Sequence, residues 1–373
     1  MSKTSNRILI SLILVVVLLV SACVAQTPAA EPTAAPTSTT APTEPPVEEL
    51  TEEATVEPVS APIVITDVIG REITLEVPAS KLVGTHNPTL NAAIVLGGGG
   101  TYLVGFGNKS MSRGLYEIVV DGYNELTEIG KGSNVNMESV VATGADLVIL
   151  PERQQDLIPQ FEEINIPTIV ILDSEESFDT IKQTLKILGM ALGENEKVEM
   201  INGFIDDQLE NAQNLLKDTT EKPSVLFLGG SSALSVATDS MIQTSLIETA
   251  GGVNAVSGVD VIGKFAEVSV EQIIAWNPDV IWFPSYADYS VEDLLNDPSW
   301  SSISAIQNKR VYQFPSLLEP WDYPTAAVVL GVDWALNNLH PDLFDYETLM
   351  KNVNDFYTMV YGRTFTAEQL GIE

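Results

Sequence analysis

Residues 136–150 read NMESVVATGADLVIL, and residues 269–283 read SVEQIIAWNPDVIWF. In each, a helix-capping residue type (Asn136, Ser269) precedes a glutamate (Glu138, Glu271) in the first turn of a short helical pattern. An aspartate eight residues after the glutamate (Asp146, Asp279) then opens an unbroken apolar run. Such continuous runs mark strands buried on both faces, as in parallel sheets. One helix–strand unit used twice points to an α/β chain.

Working outward, further runs of this kind fall at 81–84, 102–105, 168–172, 224–228 and 311–314, separated by helical patterns that read as crossovers. Ahead of them, residues 63–77 (IVITDVIGREITLEV) alternate around Ile69-Gly70, the pattern of a β-hairpin. Gly97 to Gly100 read as a helix stop, since no lysine and Ser/Thr follow as in a phosphate loop. Between the two groups of strands, Gly193 suits a C-cap and Asn195 an N-cap. From there Val198, Ile201, Ile205, Leu209, Ala212 and Leu216 form one apolar stripe to Asp218, a helix roughly 36 Å long. The fold expected is two Rossmann-like α/β lobes with mainly parallel sheets, residues 63–194 and 219–373, joined by the helix 195–218.

The first sixty residues carry a different message. Lys3 and Arg7 precede an apolar run from Ile8 to Val20 and then small residues, the layout of a secretory signal and too short for a comfortable membrane span. Val20-Ser21-Ala22-Cys23 resembles the bacterial lipobox, so residues 1–22 are expected to be removed and Cys23, the one cysteine of the chain, to carry lipid. No internal disulfide is then available, and a core of ordinary size must hold the fold. Residues 24–62 are Ala, Pro, Thr and Glu with few large apolar side chains, a tether reaching roughly 35 Å. The net charge of −33 argues against nucleic acid and against a polybasic hold on anionic lipid. The expected place is the outer side of a membrane, anchored by lipid, as a monomer.

These features together resemble the helix-linked solute-binding proteins of ABC importers, which serve iron-siderophore complexes, haem, cobalamin and some oxyanions. The resemblance rests on the hairpin with Asp67 and Gly70-Arg71, the two repeated units, Ala250-Gly251-Gly252-Val253-Asn254, Asn308-Lys309-Arg310-Val311-Tyr312, and Leu330-Gly331-Val332-Asp333-Trp334 running to His340-Pro341. It implies two lobes on one long helix, with the ligand in the cleft between them and little hinge motion, and a permease with its ATPase as partners. It further implies that Glu138 and Glu271, one per lobe, meet arginines of that permease. The ligand implied is a metal chelate, with a molybdate-like oxyanion ranked behind it. Iron or cobalt would arrive only within the ligand, with no resident cofactor or protein metal site.

Ligands of open α/β sheets sit beyond the carboxyl ends of the strands, so the residues just after each apolar run are the candidates. These are His86 and Asn87, Arg113, Arg153, Tyr286 with Tyr289, and Trp321 with Tyr323. Trp321 ranks first, because a large aromatic in a Pro-flanked polar loop has no evident core to fill. His86 reads either as an axial ligand to a bound metal centre or as a hydrogen-bonding loop residue. With only Arg113 and Arg153 in these loops a citrate-like iron carrier is disfavoured, and the tyrosines suit a flat or aromatic ligand. An exported hydrolase is the reading from another class, but no GxSxG, HExxH or second cysteine is present. A binding protein that feeds a sensor rather than an importer fits the sequence equally.

Overall fold

The computed structural model describes residues 61–109, 113–259, 261 and 264–372. The signal-like segment, Cys23 and the tether up to residue 60 lie outside the described residues, as do Met111 and Ser112. Among the described residues no helix is long and apolar enough to cross a membrane.

Two parallel sheets carry the architecture. The first has the order Thr127–Glu128, Leu103–Phe106, Leu82–Gly84, Leu147–Pro151, Thr168–Leu172. The second has the order Val253–Asn254, Ser224–Phe227, Val280–Pro284, Val311–Phe314. Leaving aside the short edge strand at 127–128, both follow one order: second, first, third and fourth strand in sequence. All the apolar runs read from the sequence are strands, within a residue or two at each end, and the α/β class with mainly parallel sheets holds.

Burial explains why these runs lack alternation. Leu82, Leu147, Ile149, Ile169 and Ile171 face one apolar cluster, while their neighbours Val83, Val148, Leu150 and Val170 face another. In the second sheet Val225, Phe227, Val280 and Trp282 face the first of those clusters, and Leu226, Leu228, Ile281 and Phe283 a third. A strand covered on both faces has no wet side to mark with polar residues.

The repeated unit gains a physical account. Asn136 accepts from the Ser139 N–H (3.0 Å) and Ser269 from the Gln272 N–H (3.3 Å), capping helices Met137–Thr143 and Val270–Trp276. The carboxylate of Asp146 accepts from the N–H groups of Ser80 and Lys81, and that of Asp279 from the N–H and hydroxyl of Ser224. Each aspartate thus ties the start of a third strand to the start of the first. The entry hairpin pairs Ile63–Thr66 with Glu72–Leu75, and at its turn Asp67 holds Arg71 in an ion pair at 2.7 Å.

The long helix spans Asn195–Leu216. Gly193 caps the preceding helix in the left-handed conformation (φ 77°), as expected. Glu194 rather than Asn195 holds the N-cap position, with no side-chain cap, and Asn195 is the first helical residue. Val198, Ile201, Ile205 and Ala212 are buried, whereas Leu209 and Leu216 are only half-buried. At the helix stop, Gly99 and Gly100 both have positive φ, and a Cβ on either would meet Val119 or Val120, so these glycines let the chain reverse tightly. The helix Tyr346–Tyr361 packs back across the molecule. Its Asn352 amide donates to Gln208 of the long helix (2.8 Å), and the carbonyl of Val360 accepts from Lys197 (3.5 Å).

Candidate functional site

A cavity of about 400 Å³ opens where the carboxyl ends of the first sheet meet segments from the second half of the chain. Thr85, His86, Asn87 and Pro88 follow the first strand, Asn108 the second, and Arg153 with Gln154 the third. The connections on either side of strand Leu82–Gly84 leave in opposite directions, which opens a crevice at this point. Lys131, from the hairpin Gly130–Lys131 and Asn134–Val135, and Glu176 complete this wall. Met241, Gln243, Phe265, Asp322, Tyr323 and Pro324 form the other.

Two polar bridges close the cleft. On one side the Asn91 amide donates to Glu319 (2.9 Å) and to the Tyr116 hydroxyl (3.0 Å), and Tyr116 donates to Asn87 (3.1 Å). The Leu115 N–H donates to the Leu318 carbonyl (3.2 Å) beside them. On the other side the Glu176 N–H donates to the Ser240 carbonyl (3.2 Å), and the Glu176 carboxylate accepts from the Ile242 N–H (3.3 Å).

Of the residues singled out in the sequence, the structure gathers His86, Asn87, Arg153 and Tyr323 on this one cavity. Arg113 and Tyr286 stand just behind it: the guanidinium lies 3.8 Å over the Tyr286 ring, and the Tyr286 hydroxyl donates to Asp322 at 3.3 Å. Tyr289 turns away, donating to the Gly229 carbonyl (2.7 Å) and packing on Phe283. Trp321 corrects the sequence expectation. It is fully buried and its indole N–H donates to Tyr357 (2.9 Å), so the loop does have a core to fill. Glu138 and Glu271 are exposed in the first turns of their equivalent helices, away from the cavity lining. The residues that reasoning from sequence passed over are Lys131, Glu176, Gln243 and Asp322.

Three polar atoms of the lining are buried without a partner among the described residues: His86 Nδ1, Gln243 Oε1 and Asp322 Oδ1. Buried polar groups are rarely left so, and their presence in the lining of one cavity makes it the candidate binding site. A somewhat larger cavity, about 480 Å³, lies at the end of the long helix between Leu209, Leu216 and Thr249, and none of its lining side chains shows such an atom. His86 is held neutral, its pKa lowered by burial and then by Arg153. Burial raises Glu176, opposed by the Ile242 N–H and Arg153. Burial also raises Asp322 to about 7, against the lowering effect of its own backbone N–H, Tyr286 and Arg113. Arg153 and Lys131 stand at the rim of this lining, and both acids inside it are raised by burial. Among the described residues no group of three His, Cys, Asp or Glu side chains is placed to hold a metal.

Glu319 and Asp333 are likewise raised by burial to about 7. An acid raised in the folded state costs stability once the unfolded chain ionises, near pH 4, and the full penalty is reached above its folded pKa. Acidifying from pH 8.5 to 6.5 is therefore expected to stabilise the fold, by about 2 kcal/mol for the three acids together, or roughly 3 °C in Tm. Below pH 6.5 the gain is opposed by His86 and His340, both lowered chiefly by burial. Calorimetry across that window reads the effect, and the triple variant E319Q/D322N/D333N should flatten it. A melting point that falls on acidification to pH 6.5 would contradict it.

Residues 91–318 match the family model described as periplasmic binding protein. The molybdate-binding protein MolA of Haemophilus influenzae is 25% identical over 326 residues, 81% of this chain and 92% of MolA. Its molybdate-bound crystal structure superposes with a TM-score of 0.72 at 22% identity, covering 81% of this chain and 99% of that one. An uncharacterised ABC transporter substrate-binding lipoprotein, YvrC of Bacillus subtilis, is 23% identical over 76% of this chain and 87% of its own length. A periplasmic solute-binding protein from Veillonella parvula superposes with a TM-score of 0.73 at 23% identity, covering 83% and 95% of the two chains. A match over more than half of the chain, with the paired parallel sheets and a cleft at their strand ends, identifies the protein as a member of the periplasmic binding protein family.

Proposed function

We propose that this protein captures an anionic solute outside the cytoplasm and delivers it to an ABC importer, held at the membrane by lipid on Cys23. The observation that carries the ligand class is the cleft: Arg153 and Lys131 stand over a cavity that buries unpartnered polar atoms from both halves of the chain. Anionic oxygens are common to the oxyanion bound by the relative MolA and to the metal chelates suggested by the sequence. Arg153 offers two parallel donors to such a group and Lys131 a mobile charge. Glu138 and Glu271, exposed at equivalent places in the two halves, supply the docking carboxylates for the permease. The lobes 63–194 and 219–373 with helix 195–218 between them remain the working division of the chain.

Titration calorimetry with molybdate, haem and a ferric siderophore separates the ligand sources. For whichever binds, Arg153→Ala with Lys131→Ala should weaken affinity at least about 30-fold, the loss of two charge-assisted contacts. Undiminished affinity in that double variant would refute the anionic reading.

A further inference from the structure

The two walls of the cleft do not offer a ligand the same chemistry. On one wall Arg153 and Lys131 stand as charged donors beside the Glu176 carboxylate. The opposite wall accepts. On that wall the Gln243 amide N–H is committed to the Asp322 carbonyl at 2.7 Å, which fixes the amide and leaves Oε1 without a donor. Asp322 accepts from Tyr286 on Oδ2 and leaves Oδ1 without a donor. Both side chains are almost fully buried, at 3% and 1% exposure. Among the described residues Asp322 forms no ion pair with a Lys or Arg. The groups that bear on its charge are its own backbone N–H, Tyr286, Tyr323, Arg113 and Glu176.

A buried acceptor left without a donor forfeits its hydration and gains nothing in return. Two such acceptors side by side at a ligand cavity are therefore informative about what fills it. Resting on the anionic reading above, we infer that Asp322 and Gln243 form an acceptor pair that selects anions carrying their own hydrogen-bond donor over anions that only accept. A protonated oxyanion, or a chelate with a hydroxyl or amide N–H, presents oxygens to Arg153 and Lys131 and a proton to Asp322. A fully deprotonated tetraoxyanion sets oxygen against oxygen at Asp322 and Gln243 unless Asp322 first takes up a proton. The discrimination works by rejection, since the wrong ligand leaves the buried acceptors unpaired.

Tetrahedral dianions of like charge isolate the effect. At pH 8 hydrogenphosphate and hydrogenarsenate keep one proton, whereas sulfate and molybdate keep none. Titration calorimetry on the intact protein should show the protonated pair binding roughly 30-fold more tightly than the unprotonated pair. Asp322→Asn, which can turn an N–H toward the ligand, should reverse the order: the protonated anions weaken and molybdate and sulfate gain. Sulfate and molybdate, which stay fully deprotonated throughout, are each expected to bind the unsubstituted protein more tightly as pH falls from 8 toward 6. A melting curve confirms that the variant is folded. Equal affinity for all four anions, or an order that Asp322→Asn leaves alone, overturns the inference while the anionic reading stands. Binding of none of the four also overturns it, and the anionic reading is then decided by the chelates and by the Arg153 and Lys131 variants.

Discussion

Replacing Glu138 and Glu271 together by alanine is expected to abolish uptake and to leave ligand affinity in solution unchanged. Both carboxylates are exposed, and each stands in the first turn of a seven-residue helix capped by a side-chain oxygen, of Asn136 or Ser269, that accepts from a backbone N–H. Glu271 is held below the usual carboxylate range by its own backbone N–H and by Ser269. It therefore stays charged at any pH at which a permease would meet it. The two helices precede equivalent strands, and the tie from Asp146 to Ser80 matches that from Asp279 to Ser224, so the two carboxylates are presented by the same local structure. Charges at a contact rim govern encounter and orientation more than the stability of either partner. Each single variant should retain part of the transport rate and lose more of it at high salt. Uptake of labelled ligand into cells, read beside calorimetry on the purified protein, checks both halves of the expectation. Weakened binding in solution would move these glutamates from docking to ligand capture.

Trp321→Ala is expected to destabilise the fold by about 3–5 kcal/mol, roughly 6 °C in Tm, without a matching loss of affinity in the folded fraction. The indole is fully buried, and its N–H donates to Tyr357, which in turn donates to Glu319. Truncation leaves a cavity in the large apolar cluster and removes the donor that orients Tyr357. Trp321→Phe should recover most of the packing and leave only the missing hydrogen bond, about 1 kcal/mol. Thermal melts of both variants with one ligand titration separate packing from binding. A Trp321→Ala protein that melts normally but no longer binds would restore the tryptophan to the cleft.

The contrast between Trp321 and its neighbour shows what the sequence can and cannot reveal. Strands buried on both faces leave an unbroken apolar signature, so the sheets were legible to within a residue or two. Their order, and the two-residue edge strands Thr127–Glu128 and Val253–Asn254, were not, because pairing between distant segments leaves no local pattern. The candidate cavity lies beyond strand ends, where the sequence directs the search. Which side chain of Pro320-Trp321-Asp322-Tyr323 faces the cavity was not legible, since an irregular loop has no period from which to assign faces. Aromatic bulk favoured Trp321, and the structure buries that residue while setting Asp322 and Tyr323 on the wall. Gln243 sits in the first turn of helix Ile242–Thr249, and Lys131 in a two-residue strand too short to leave a pattern. Glu176 belongs by sequence to the first half, yet it hydrogen-bonds Ser240 and Ile242 of the second.

The helix Tyr346–Tyr361 and the two polar bridges tie the walls of the cleft to one another. A receptor built in this way would behave as a fixed frame with adjustable fittings and not as a pair of jaws. If Glu138 and Glu271 serve as the docking carboxylates proposed above, a permease that grips both would strain that frame, and discharge of cargo would then be mechanical work done by the importer on the receptor.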